Sequence, residues 1–551
     1  MTKPTYDFDY LIIGSGFGGS VSACRLTEKG YSVAVMEMGK RWTASDFAKN
    51  NWNTRKWVWR PALKLFGYFN LRLFRHVTII CGNAVGGGSI TYANTLLVPP
   101  DHIWDEGSWA NTADWKNEMP QHFASAEKML GVTENKLLGP ADHMLKKMGD
   151  AVGVGHTFKP TRVATFFPPK GEKGGKTYPD PYFEGKGPER ATCTACGGCM
   201  TGCKYNAKNT LDKNYLYFAE KNGAKVFAET RVIDVRPINN KEDGSDGYEV
   251  TTECSTSWFN KQRRVWRVQN VIFSASSLGT QEMLFRLKQS GALPHISNDL
   301  GNRVRTNAES ILGVRFFGKD IDMSQGVAIG SSIYIDHDTH IEATRYQNGS
   351  DAMGLMCTYM SKGKPGWTRI FFWLWALISH PLIFLKMSNP VGFARQTLIF
   401  LVMQTADASI RMRLKRHWWW PFAKVLSSEG QPLPVYIPQA NAFTEKMAKM
   451  FNGQPMTTLT EILFNVPFTA HCMGGCAIGS SPENGVIDSQ NRVFNYKNLY
   501  VVDGSMLGAN LGVNPSLTIT ALAERAMSYI PAKQQQNQTT RSHVSDLVDH
   551  I

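Results

Sequence analysis

Two short segments near the C-terminus carry side chains suited to moving a proton. His471 precedes Cys472-Met473-Gly474-Gly475, and Asn514 stands between Val513 and Pro515. Histidine is the side chain whose pKa lies nearest working pH, which makes His471 a candidate base or hydrogen-bond partner for a reacting hydroxyl. Asn514 followed by Pro515 has the form of an N-cap and first helical residue. The helix expected from Pro515 to Arg525 would therefore direct its positive end at whatever lies before it. A third constellation is Cys193, Cys196, Cys199 and Cys203, spaced C-x2-C-x2-C-x3-C like the ligands of bacterial ferredoxins. Thiolates three residues apart in a tight turn can face one iron-sulfur cluster, and Gly197, Gly198 and Gly202 let the backbone wrap it. Zinc fits this spacing less well, because structural zinc sites pair two such knuckles across a longer loop. Free structural thiols are the remaining reading.

Glycine-rich turns must position these groups. Tyr10 to Ile13 reads as a buried strand, Ser20 to Lys29 as a helix stopped by Gly30, and between them lies Gly14-Ser15-Gly16-Phe17-Gly18-Gly19. Gly14, Gly16 and Gly19 answer the needs of a sharp turn, a close backbone approach to pyrophosphate and tight helix-strand packing. A second strand, Tyr31 to Met36, delivers Glu37 to hydrogen-bond a ribose hydroxyl. Strand, turn, helix, strand and acid together predict a dinucleotide site and leave NAD and FAD both open. A second loop, Gly86-Gly87-Gly88-Ser89, suits a flat or charged ligand. Further strands are expected at Ala224 to Val235 and Arg264 to Ala275.

The chain has 551 residues, 42% hydrophobic and 19% charged, which predicts a globular protein of several domains. Lys and Arg number 60 against 46 acids, a net charge of +14. No nucleic-acid module surrounds the basic, aromatic stretch at residues 50 to 76, so it reads as a covering segment or a membrane-facing surface. Ile370 to Ile378, Ser379-His380-Pro381 and Leu382 to Leu385 form an apolar stretch broken by proline, with Arg411 to Trp420 beyond it. That make-up predicts an interfacial anchor, with a buried helical hairpin as the bland alternative. No run of 18 apolar residues and no secretory signal are visible, so the expected location is cytoplasmic, peripheral to the inner face of the membrane.

The two glycine loops, His471 to Gly475, Val501-Val502-Asp503-Gly504 and Val513-Asn514-Pro515 together resemble the glucose-methanol-choline (GMC) oxidoreductases, within them the bacterial cholesterol-oxidase-like group. The resemblance implies an α/β fold: a Rossmann-like FAD-binding domain, and a second, substrate domain with an antiparallel sheet and apolar helices. It places the FAD domain at 1–100, 204–310 and 468–530, and a covering region with the cysteines at 101–203. The substrate domain would be 311–467, membrane-facing at 367–420, and 531–551 a disordered tail. It implies that His471 and Asn514 sit beside the flavin and that Gly14, Gly16, Gly19 and Glu37 hold pyrophosphate and ribose. Gly87, Gly88 and Ser89 would meet the phosphate and flavin edge, Asn94 the isoalloxazine, Val232 the adenine and Asp503 the ribityl chain. A catalytic glutamate known in some sterol oxidases has no recognisable counterpart in the divergent region.

The expected function is oxidation of a hydrophobic alcohol, a sterol, terpenoid or long-chain alcohol, with His471 as base. Electrons would leave through the iron-sulfur cluster to a quinone or carrier protein. The alternative is an oxygen-using sterol or alcohol oxidase without a cluster. A flavin lyase of the photodecarboxylase kind and a non-catalytic electron carrier are the remote readings.

Overall fold

A computed structural model describes residues 5–534 except 240, 319–320, 363–365 and 418–419. The tail expected to be disordered lies outside these residues from 535 onward, as do Trp418 and Trp419.

Two seven-stranded sheets organise the chain. The first runs Lys225–Phe227, Val33–Met36, Phe8–Ile13, Arg264–Phe273, Tyr248–Cys254, Thr230–Pro237, and Leu499–Val501 also pairs with Arg264–Phe273. Its members around Phe8–Ile13 are parallel, and Thr230–Pro237 and Tyr248–Cys254 join as an antiparallel meander. Leu11, Ile12, Val33 to Val35, Val271 and Ile272 are buried, as expected of a parallel sheet covered on both faces. Helices Phe17–Glu28 and Ser516–Ser528 pack together on this sheet. Between them Arg25 pairs with Glu524, which also accepts from the Tyr215 hydroxyl at 2.5 Å.

The second sheet is antiparallel throughout: Cys357–Tyr359, Gln454–Thr458, Ser310–Arg315, Thr397–Gln404, Thr339–Thr344, Ile329–Tyr334, Lys159–Pro160. One face packs Leu312, Val314, Ile341, Phe400 and Val402 on helices Pro140–Ala151 and Pro438–Met450. Strand alternation turns Ile311, Ile399 and Leu401 to the other face, with Met456, Cys357, Met387 and Phe393. The register sets Ile311 beside Leu401, and Leu401 beside Glu342.

The apolar stretch forms helices Trp367–Ser379 and Pro381–Ser388, meeting at 106°. Pro381 opens the second helix, where its missing N–H is harmless, and enforces the break. The basic segment beyond does not end this pair as its sequence order suggested. Met412 is buried and Arg411 exposed, and Arg411–His417 pairs with Trp420–Glu429 as a separate ribbon. Within the covering stretch, Tyr68 and Phe69 pack on Ala84 and Ile90 beside the second glycine loop.

Candidate active site

The first glycine turn is built for close approach. Gly14 has φ +103°, a conformation other residues rarely adopt, and a Cβ on Gly19 would lie 2.1 Å from the Gly14 carbonyl oxygen. A Cβ at Gly16, by contrast, would meet nothing within 4 Å. That opening faces the start of helix Phe17–Glu28, which has no side-chain cap, so its first N–H groups are available to an anion. Glu37 is buried at the end of its strand. Its Oε2 accepts from Ser15 N at 3.1 Å and Ser15 Oγ at 2.7 Å, and its Oε1 from Gly39 N at 2.8 Å. One lone-pair site remains for a ribose hydroxyl. Burial raises its pKa against the pull of these bonds.

The second loop lies against the first, with the place of a Gly87 Cβ only 2.5 Å from Gly16 Cα. Ser89 spends its hydroxyl inside the protein, donating to Gly86 O at 2.7 Å and accepting from Leu211 N at 3.1 Å. Asn94 is tied to Thr165 and accepts from Ala164 N at 3.2 Å. Val232 is buried in its strand next to a bulge. Asp503 accepts from Ser505 N at 2.8 Å and from the Thr280 hydroxyl at 2.5 Å, joining a short turn to the helix Ser276–Gln289. Burial raises its pKa.

His471 and Asn514 meet two residues that local sequence patterns do not reveal. His471 Nδ1 bonds the carboxylate of buried Glu309. Burial pulls the imidazole down, but the charge and bond of Glu309, with Glu342 behind, lift it net above its ordinary value. Asn514 donates from Nδ2 to Glu342 Oε2 at 3.3 Å. Its amide is directed at the substrate sheet rather than capping the helix, which begins at Ser516 with Pro515 already in helical conformation. Burial, and to a lesser degree Glu309, raise Glu342 to about 8, against the Asn514 bond and His471. Glu309 Oε2, Glu342 Oε1 and Asn514 Oδ1 are buried without hydrogen-bond partners among the described residues. Grouped beside His471, these three atoms can receive a polar ligand group.

The cysteines behave otherwise. Cys193 and Cys199 pack beside Val163, Phe167 and Val327, and burial lifts both thiols, Cys199 to about 11. No group of three or more His, Cys, Asp or Glu among the described residues is placed to hold a metal ion. The iron-sulfur cluster expected at Cys193, Cys196, Cys199 and Cys203 is therefore unsupported. The segment instead braces the cofactor loop: buried Lys208 donates to the carbonyls of Cys199 at 2.9 Å, Ile90 at 2.9 Å and Tyr92 at 3.2 Å.

Comparison with known proteins identifies the family. Residues 12–51 match an NAD(P)-binding Rossmann-like domain, and residues 422–523 match the GMC oxidoreductase family. A cholesterol oxidase of Acinetobacter baumannii is 86% identical over 98% of each chain. One of Mycobacterium tuberculosis is 45% identical over 96% of this chain and 92% of its own. The solved structure of pyridoxine 4-oxidase from Mesorbium loti shares the fold, with a TM-score of 0.58 at 14% identity, over 95% of this chain and 99% of that one. With relatives this similar along nearly its whole length, the chain belongs to the GMC oxidoreductase family and is an FAD-dependent enzyme acting on CH–OH groups.

Proposed function

We propose that the enzyme oxidises the hydroxyl of a sterol to a ketone and delivers the electrons to oxygen. The observation that carries this reading is the cross-strand row Ile311, Leu401, Glu342, an apolar sheet face that ends in a buried carboxyl beside His471 and Asn514. An apolar body lies on such a face while one hydroxyl reaches the carboxyl. The relatives named cholesterol oxidase support the same substrate class and acceptor. The residues present fit FAD: the opening at Gly16 and the uncapped helix take the pyrophosphate, and Glu37 the ribose. When bound, FAD supplies the two-electron oxidant. Glu342 in its carboxylate form accepts the hydroxyl proton, His471 hydrogen-bonds the same oxygen, Glu309 holds the His471 ring, and Asn514 orients Glu342. Anaerobic flavin bleaching by sterols, fatty alcohols, terpenols and sugars tests the substrate class. Bleaching by sugars but not sterols would overturn it, and reoxidation in air without peroxide would overturn the acceptor.

The enzyme also docks on a lipid bilayer through its bent helix pair. Supporting this, Trp367, Phe371, Trp375, Ile378, Leu382 and Leu385 are exposed, whereas Arg369 is the one buried residue of its helix. A helix that turns its cation inward and its apolar side chains outward is arranged for lipid rather than water. Among the described residues no single helix is long and apolar enough to cross a membrane. The second helix touches the edge strand Cys357–Tyr359 and contributes Met387 to the apolar sheet face. Replacing Trp367, Phe371, Ile378 and Leu382 by Ser is expected to abolish sedimentation with sterol-containing vesicles. Turnover of detergent-dispersed sterol should persist, and unchanged sedimentation would refute docking.

A further inference from the structure

Each turnover detaches a proton from the substrate hydroxyl at a place cut off from solvent. Glu342 is fully buried, so a proton it receives needs a route out. Two residues earlier on the same strand stands His340, also fully buried, with neither ring nitrogen hydrogen-bonded to a described residue by geometry. A strand rises about 3.3 Å per residue and i, i+2 share a face, which puts these side chains side by side about 7 Å apart at their backbone. A single water in that gap would find Glu342 Oε1 on one side and a ring nitrogen of His340 on the other. Beyond His340 the ring of half-buried Tyr334 stacks at 4.4 Å and 21°, and the Tyr334 hydroxyl feels the Glu342 charge. Tyr334 leads into the hairpin turn with Asp336, His337 and Asp338, where His337 and Asp338 are exposed.

We propose that His340 relays the substrate proton from Glu342 to solvent at the hairpin turn after Tyr334. The proposal rests on Glu342 as the base. The O–H bond of the substrate breaks and its proton forms an O–H bond on Glu342. That proton passes to the bridging water, which gives one of its own to a ring nitrogen of His340. The other ring N–H bond breaks and its proton passes, past the half-buried Tyr334 hydroxyl, to a solvent water at the turn, which becomes hydronium. Glu342 returns to carboxylate and the imidazole to a neutral ring, whose starting tautomer is restored by exchange through the same water. The electrons of the substrate C–H bond take no part. Burial holds His340 at about 4 against the opposing effect of the Gly512 backbone, so the ring is neutral at working pH and keeps one nitrogen to accept.

Stopped-flow reduction of the anaerobic holoenzyme, followed by flavin absorbance and a pH-indicator dye together, tests the relay. In the native enzyme the dye signal is expected to track flavin bleaching. In His340→Phe and His340→Gln, compared at full flavin occupancy, it should lag by about tenfold or more. kcat should fall with little change in KM in both variants. A readout without turnover is exchange of the Glu342 carboxyl proton in deuterium oxide, followed by its infrared stretch in the resting protein. That exchange should slow by a similar factor in both variants. Dye release locked to bleaching in both variants, or unaltered carboxyl exchange, would overturn the relay and leave the base intact. Wild-type bleaching by Glu342→Gln would instead overturn the base, and the relay with it.

Discussion

The segment Cys193–Cys203 and the cluster at His471 are both made of reactive residue types, yet only the second is knit by side-chain hydrogen bonds between distant segments. The four cysteines are close in sequence and near enough to feel one another's charge, and two of them pack with Val163, Phe167 and Val327. Glu309, Glu342, His471 and Asn514 come from distant segments and converge through hydrogen bonds. Spacing along one segment proposes a site, whereas hydrogen bonds that bring distant segments together mark the one at His471. In the cysteine region burial suppresses the reactive form. In the His471 region burial keeps Glu342 near the working pH, where a base is useful.

Glu342→Gln should have the largest effect, slowing anaerobic flavin reduction by about 10²- to 10⁴-fold while the bound flavin spectrum is retained. A loss below tenfold would return the proton chemistry to His471 alone. Asn514→Leu should cost less, about tenfold to a hundredfold, again without release of FAD. It should also move the pH profile. The base works as carboxylate, so the reduction rate should rise with pH through about 8. Because the Asn514 bond lowers that value, its removal should carry the rising limb to higher pH. A smaller effect is expected on stability. The carboxyl of Glu342 holds its proton more tightly folded than unfolded, so it disfavours the fold increasingly as pH rises from the unfolded value, near 4.3, toward 8. Glu342→Gln should therefore raise Tm relative to wild type more at pH 8 than at pH 5; equal shifts at both would argue that Glu342 titrates normally. Smallest should be Cys193→Ala combined with Cys199→Ala, with flavin reduction within about twofold, iron at background and about 1 to 3 kcal/mol lost in unfolding. Stoichiometric iron in the native protein, lost in this variant, would erase the contrast between the two regions.

Much of the first sheet was legible because its signals are local. The turn Gly14 to Gly19, the strand before it and Glu37 lie within one short stretch, and the structure keeps them in contact through Ser15. His471 and Asn514 were legible as motif residues, but their partners were not. Glu309 and Glu342 become neighbours only through antiparallel register among strands far apart in sequence, which no local period reports. One signal was available: in Thr339–Thr344, Ile341 and Ala343 alternate with His340 and Glu342, and every residue is buried. Polar residues opposite an apolar face usually read as solvent-facing, so this alternation conceals a second interior. The cysteine spacing suggests a cluster that nothing in the structure supports, since spacing constrains the chain and not the chemistry it serves.

The row from Cys357 through Ile311 and Leu401 to Glu342 also works as a ruler. It crosses four inter-strand steps of about 4.8 Å, so the carboxyl stands about 19 Å from the edge strand. A rigid molecule laid along it presents only its leading end to Glu342. Which hydroxyl is oxidised is then set by position along the body, and a hydroxyl at mid-length stays out of reach however tightly the molecule binds.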